Sequence, residues 1–147
     1  MRKTIFSLIG AATLLAGCVV RDSDRIVSCG RGHRLQIVDL AMSPDPVSEG
    51  QRIGQFRVNL RADGSGECET RLQIRESDGN ELIAAERVYR LRPGINPITL
   101  EPEGRYRFSR REHCFDVLAN IENTPRRIDA ARRFCAREIG GRRWSLR

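Results

Sequence analysis

The stretch Phe56-Arg57-Val58-Asn59-Leu60-Arg61-Ala62-Asp63-Gly64-Ser65-Gly66-Glu67-Cys68-Glu69-Thr70-Arg71-Leu72-Gln73-Ile74-Arg75 decides the fold class. Phe56, Val58 and Leu60 alternate with Arg57, Asn59 and Arg61, the two-residue period of a strand with one dry and one wet face. Asp63-Gly64-Ser65-Gly66 ends that run. The alternation then resumes, with Cys68, Thr70, Leu72 and Ile74 on one face and Glu69, Arg71, Gln73 and Arg75 on the other, so Cys68 belongs to the apolar face.

The same pattern repeats on both sides. Upstream, Leu35, Ile37, Val38 and Leu40 predict a first strand, stopped by Ser43-Pro44-Asp45-Pro46 because proline cannot donate to a ladder. Ser48-Glu49-Gly50 is a second turn signal. Downstream, Ser77-Asp78-Gly79-Asn80 reads as a hairpin turn of the Asp-Gly type, with the glycine taking the positive φ. Residues 82–85 and 88–91 return from it. Arg92-Pro93-Gly94, a strand through Ile98 and Leu100, the turn Pro102-Glu103-Gly104 and a brief alternation at Tyr106 and Phe108 follow. Turn signals about every ten residues between short alternating strands predict an all-β sandwich.

The end of the chain supports two readings. Thr124 as cap, Pro125 in the first turn, then Ile128, Ala131, Cys135 and Ile139 before Gly140-Gly141, suit an amphipathic helix. A hairpin centred between Thr124 and Pro125 instead sets Ile121 opposite Ile128, Ala119 opposite Ala130, Phe115 opposite Phe134 and Cys114 opposite Cys135. Only Val117 opposite Arg132 fits poorly. The hairpin is preferred, because like pairs from one register outweigh helix propensity.

The organisation also resembles the immunoglobulin-like, adhesion-type domains of bacterial envelope proteins. The resemblance rests on Pro46 and Gly50 before the second strand, Asp78-Gly79 at a hairpin, Leu91-x-Pro93-Gly94 and Gly104-x-Tyr106. It covers roughly residues 34–110 and implies an antiparallel sandwich of about seven strands, with no activity carried over. The cysteines and the arginine-rich end depart from it. In such a topology Cys114 and Cys135 lie at one end of the sandwich, and Cys29 and Cys68 at the other. Two disulfides are therefore expected, Cys29 to Cys68 and Cys114 to Cys135, out of three connectivities available to four cysteines.

The count of four follows from the leader. Arg2 and Lys3 precede an apolar run of signal-peptide length, too short to span a bilayer, which takes roughly 20 apolar residues. The run closes on Leu15-Ala16-Gly17-Cys18, which resembles the lipobox of bacterial lipoprotein precursors. That resemblance implies cleavage before Cys18 and lipidation of Cys18, and Val19 rather than aspartate behind it favours the outer membrane. Two or three acyl chains, at about 0.8 kcal/mol per buried methylene, make a durable anchor. The expected organisation is a signal peptide over 1–17, a tether over 18–28 and a domain over 29–147 with a basic C-terminal tail. With Cys18 lipidated, the remaining cysteines form an even set in an exported chain, which reads as disulfides. Their spacing lacks Cys-x-x-Cys, and the only histidines are His33 and His113, so no metal site is expected.

Of 147 residues, 130 follow the leader, enough for one domain with a core. Lys3 is the only lysine, and codon bias in a GC-rich genome accounts for the arginines more readily than selection for bidentate anion binding. Their distribution is uneven. From Arg105 onward 12 arginines face 5 acidic residues, a net of +7, whereas residues 18–104 sum to −2.

No catalytic motif emerges. Asp63-Gly64-Ser65-Gly66 is turn composition, His33 and His113 have no motif around them, and Glu101 and Glu103 bracket a proline in a turn. No glycine-rich loop joins a strand to a helix, so neither nucleotide nor other cofactor is implied. The last residues, Arg142-Arg143-Trp144-Ser145-Leu146-Arg147, read either as a final edge strand with Trp144 and Leu146 packed inward or as a basic, aromatic docking tail. Together with Arg132, Arg133 and Arg137 they form the candidate binding surface, for an acidic envelope protein, lipid headgroups or another polyanion. Nucleic acid is a poor partner for an exported chain.

The expectation is a lipid-anchored outer-membrane lipoprotein with a non-enzymatic binding or scaffolding role, its domain facing the periplasm or exposed at the cell surface. A small periplasmic inhibitor of a hydrolase and a structural envelope protein without a specific ligand remain the alternatives.

Overall fold

The computed structural model describes residues 27–30, 32–120 and 128–147. The leader, Cys18, the tether up to residue 26, and Ile121, Thr124 and Pro125 of the expected hairpin lie outside the described residues. Ten strands form: β1 (Val27–Ser28), β2 (His33–Ser43), β3 (Val47–Ser48), β4 (Gln55–Gly64), β5 (Cys68–Glu76), β6 (Leu82–Leu91), β7 (Gly94–Leu100), β8 (Glu112–Ala119), β9 (Ala130–Glu138) and β10 (Arg143–Leu146). No helix occurs among the described residues.

β4, the strand of the Phe56 alternation, is the centre of a three-stranded antiparallel sheet in the order β2-β4-β7. The other sheet runs β6-β5-β8-β9-β10-β3, and β1 adds in parallel beside the first residues of β5. The seven long strands thus divide as β2-β4-β7 against β6-β5-β8-β9, an immunoglobulin-like antiparallel sandwich in which the fourth long strand stays beside the third. Three short strands extend it.

The inner faces are those the alternation marks out. Phe56, Val58, Leu60 and Ala62 of β4 and Cys68, Thr70, Leu72 and Ile74 of β5 are buried. Phe56 meets Phe115 of β8 edge-on across the sandwich, with ring centroids 5.5 Å apart. Gln73 departs from the pattern. The β5–β6 register shifts beside it, and this outer-face residue is buried while its Oε1 accepts from Nε of Arg75 at 2.7 Å.

The C-terminal hairpin takes the expected register, with Cys114 opposite Cys135, Phe115 opposite Phe134 and Ala119 opposite Ala130. The helix alternative is overturned. Its apolar face would have used Ile128 and Ile139, which are exposed, whereas the ladder buries Phe134 and Ala136. The disulfides are Cys29–Cys68 and Cys114–Cys135, with Cα atoms 5.0 and 4.0 Å apart.

Of the two readings of residues 142–147 the edge strand holds and the docking tail does not: β10 pairs with β9 and β3, and Trp144 is 3% exposed. Two local expectations are corrected. At the 77–80 turn the positive φ belongs to Asn80 (φ 54°), not to Gly79. The reason is loop length, since Glu76 N–H donates to the Glu81 carbonyl and encloses four residues rather than two, which moves the left-handed position to the last of them. Tyr106 and Phe108 alternate as in a strand, but residues 105–109 join no ladder.

Candidate functional site

Residues 105–109 cross from one sheet to the other. After β7, Pro102 bridges to Ala84, Glu103 N–H donates to the Ile83 carbonyl at 2.8 Å, and Gly104 turns the chain at φ 136°. Beyond that turn Tyr106 and Phe108 point inward while Arg105 and Arg107 stay exposed. Tyr106 packs edge-on against Phe108 and Phe115, with centroids 5.2 and 5.3 Å apart. Phe108 stacks on Trp144 at 5.2 Å. These aromatic contacts hold a segment that has no ladder of its own.

Hydrogen bonds pin it further. Nε2 of buried His113 accepts from the backbone N–H groups of Ser109 and Arg110, both at 2.9 Å. Nε2 is therefore unprotonated, and the neutral ring carries its hydrogen on Nδ1, which donates to the Tyr106 hydroxyl at 2.7 Å. The hydroxyl in turn donates to Oε1 of Glu76 at 2.8 Å, and that oxygen also accepts from Nη2 of Arg110 at 2.8 Å. Arg110 pairs with Asp78 as well, which raises its pKa.

Burial pushes the His113 pKa below the ordinary imidazole value, helped by the Arg110 charge and opposed by Glu76. Burial, then the Glu76 hydrogen bond, holds the Tyr106 hydroxyl protonated far above its usual range. Both ring nitrogens of His113 are engaged internally. The network is suited to positioning residues 105–110 rather than to accepting a substrate proton.

On either side of the segment lies a cavity. One, of about 420 Å³, is lined by Arg52, Arg105 and Arg107 over Tyr106 and Phe108, together with Glu49, whose carboxylate is paired with Arg142. The other, of about 390 Å³, sets Glu76, Glu81 and Glu103 against Arg105, Arg107 and Arg110. Among the described residues Arg52, Arg105 and Arg107 make no ion pair. Three unneutralised guanidinium groups above an aromatic floor can receive carboxylate or phosphate oxygens beside an apolar group.

Comparison with protein-family models, with characterised proteins and with solved structures finds no match. The site therefore stands on geometry.

The residues singled out in the sequence take other places. Arg132 donates to the carbonyls of Ile37 and Val38 on the other sheet, and its guanidinium lies 4.9 Å from the Phe134 ring centroid. Val38 is a bulge in the β2–β4 ladder, so Arg132 serves backbone that the ladder leaves over, which explains how it can stand opposite Val117. Arg133 makes a two-pronged pair with Asp116 at 2.8 and 3.1 Å and lowers the Asp116 pKa. Arg137 pairs with Glu112, and Arg142 with Glu49. Trp144 donates from Nε1 to the Arg110 carbonyl at 2.7 Å. Arg143 and Arg147 are exposed.

Glu112, Cys114 and Cys135 place ligand-type atoms within 4.8 Å of one another, but both sulfurs are spent in the disulfide and offer no thiolate to a metal. Ser65 and Glu101 are exposed, and Glu103 lines the second cavity. The residues that sequence reading passed over are Arg52, Arg105, Tyr106, Arg107 and Glu76. One signal was present: Arg105-Tyr106-Arg107-Phe108 alternates cation and aromatic directly after a Pro-x-Gly turn.

Proposed function

We propose that this protein is a lipoprotein of the bacterial outer membrane, anchored through Cys18, whose domain binds an acidic protein segment without catalysing a reaction. The observation that carries the binding reading is the convergence of Arg52, Arg105 and Arg107 on one concavity floored by Tyr106 and Phe108, with none of the three neutralised by an acid among the described residues. Arg133, Arg137 and Arg142 are instead matched to Asp116, Glu112 and Glu49. Arg57 and Arg61 lie on the exposed outer face of β4, where Arg57 lines a smaller hollow of about 190 Å³ with Met42, Ser43 and Gln55 that Arg61 does not share.

A carboxylate-bearing segment with an apolar side chain beside its charges matches this lining, and charge complementarity would speed its encounter. The anchor reading rests on the Leu15-Ala16-Gly17-Cys18 pattern. Two measurements test the proposal. Mass spectrometry of the N-terminal peptide from membranes should find acylated Cys18, and an unmodified, uncleaved chain would remove the anchor. Site-specific photo-crosslinking from position 107 in the envelope should trap a partner through an acidic segment, whereas position 57 should not. Equal trapping from both positions would remove the cleft from the account.

A further inference from the structure

We infer that the Cys114–Cys135 disulfide is a thiol-exchange site, open to reduction by a dithiol in the folded protein, whereas Cys29–Cys68 is a closed structural staple. Cys114 and Cys135 lie on the outer face of the β8–β9 pair, both partly exposed. Cys29 and Cys68 are 2% and 1% exposed. A thiolate must approach a sulfur directly, so access alone separates the two bridges.

The ladder separates them further. Cys114 and Cys135 are direct register partners within an eight-rung pairing that runs from Glu112↔Arg137 to Ala119↔Ala130. The Cys114 carbonyl accepts from Ser77 N–H at 2.9 Å and the Cys135 carbonyl from Arg147 N–H at 3.2 Å, so each points away from the other strand. This is the non-hydrogen-bonded kind of antiparallel pair, whose Cα atoms come closest. Opening the sulfur bridge removes no backbone hydrogen bond from its rung. The Arg137–Glu112 and Arg133–Asp116 pairs on the same face still clamp the two strands.

Cys29–Cys68 is held differently. Among the described residues β1 meets β5 at two parallel positions, Val27↔Cys68 and Ser28↔Glu69, while Cys29 N–H donates to the Glu69 carbonyl and the Cys29 carbonyl accepts from Nδ2 of buried Asn120 at 2.6 Å. Its sulfurs are part of the buried core.

The exchange is a two-electron step. A thiolate of the dithiol attacks one sulfur, the Cys114–Cys135 bond breaks as a mixed disulfide forms, and the other cysteine leaves as a thiolate that takes up a proton. The second thiol of the reductant then displaces the mixed disulfide. The products are two protein thiols and the oxidised, cyclic reductant.

The full-length protein is exposed to graded dithiothreitol at neutral pH without denaturant, alkylated and peptide-mapped, which keeps Cys18 apart from the other four. Alkylation of Cys114 and Cys135 should run at least tenfold ahead of Cys29 and Cys68, with unchanged circular dichroism. Loss of both bridges together, prior loss of Cys29–Cys68, or resistance of both until unfolding would each overturn the inference. A Cys114→Ser/Cys135→Ser variant should fold and keep Cys29–Cys68 as slow to reduce as in the parent. Failure of that variant to fold would show that the bridge, and not the ladder, holds the rung.

Discussion

The Tyr106 hydroxyl stands 2.7 Å from Nδ1 of His113, and it is the imidazole that donates. That direction follows from the other side of the ring, where Nε2 already accepts two backbone N–H groups. A second ring proton would have to displace both. Because the folded pKa of His113 lies below the unfolded value, the unfolded chain takes up the proton first on acidification. The stability that neutral His113 contributes is therefore complete above about pH 6.5 and is lost as the pH falls below it. Asp116, whose pKa is lowered mainly by its hydrogen bonds from Arg133, loses its contribution only in the more acidic carboxylate range. Urea denaturation between neutral pH and pH 5 should show falling stability in the parent protein and a much flatter dependence in His113→Gln. Equal slopes would take His113 out of the explanation.

Removing the hydroxyl between His113 and Glu76 leaves a buried donor and a carboxylate oxygen short of a partner. Tyr106→Phe should cost about 1–3 kcal/mol while keeping the ring contacts with Phe108 and Phe115. Equilibrium denaturation measures this directly, and a neutral effect would mean that water replaces the hydroxyl.

The only tryptophan is a core residue of the C-terminal sheet. Trp144 is stacked on Phe108 and tied to the Arg110 carbonyl, so its emission should be blue-shifted in the folded protein and move red on unfolding. Trp144→Ala should cost about 3–5 kcal/mol, as for other buried aromatic truncations. An emission maximum typical of solvated indole in the folded protein would contradict its burial.

Much of this architecture is readable from alternation because each long strand buries one face. The register of the last hairpin was legible in like pairs, above all Cys114 with Cys135 and Phe115 with Phe134. The site was not legible, for physical reasons. Residues 105–109 carry a strand's alternation, yet their inward side chains are held by His113 and by Glu76, which is 30 positions away from Tyr106. Arg132 read as a surface cation because its partners arise from a bulge at Val38, and no local pattern announces a bulge 94 positions away on the facing sheet. Trp144 in an arginine-rich end suited a packed strand first and a docking tail second, and pairing with Val47 and Glu138 makes it the strand.

Neighbouring arginines on β9 should behave differently. Arg132 completes backbone acceptors on the opposite sheet, so Arg132→Ala should cost about 1 kcal/mol and unsettle the β2 bulge. Arg133 is exposed and paired with Asp116 in water, so Arg133→Ala should fall within about 0.2–1 kcal/mol and fade with added salt. Hydrogen exchange at residues 37–39 distinguishes the two, since only the Arg132 variant should accelerate it.

Titration with an acidic peptide probes the cleft beside Arg105. A peptide alternating glutamate with phenylalanine, followed by Trp144 emission and by calorimetry, should bind the parent protein with an affinity that falls as salt rises. Binding should drop at least tenfold in Arg52→Ala/Arg107→Ala and stay unchanged in Arg57→Ala/Arg61→Ala, on the outer face of β4. Equal affinity for the parent and the Arg52/Arg107 variant, or a loss shared by both double variants, would contradict a binding site at this cleft.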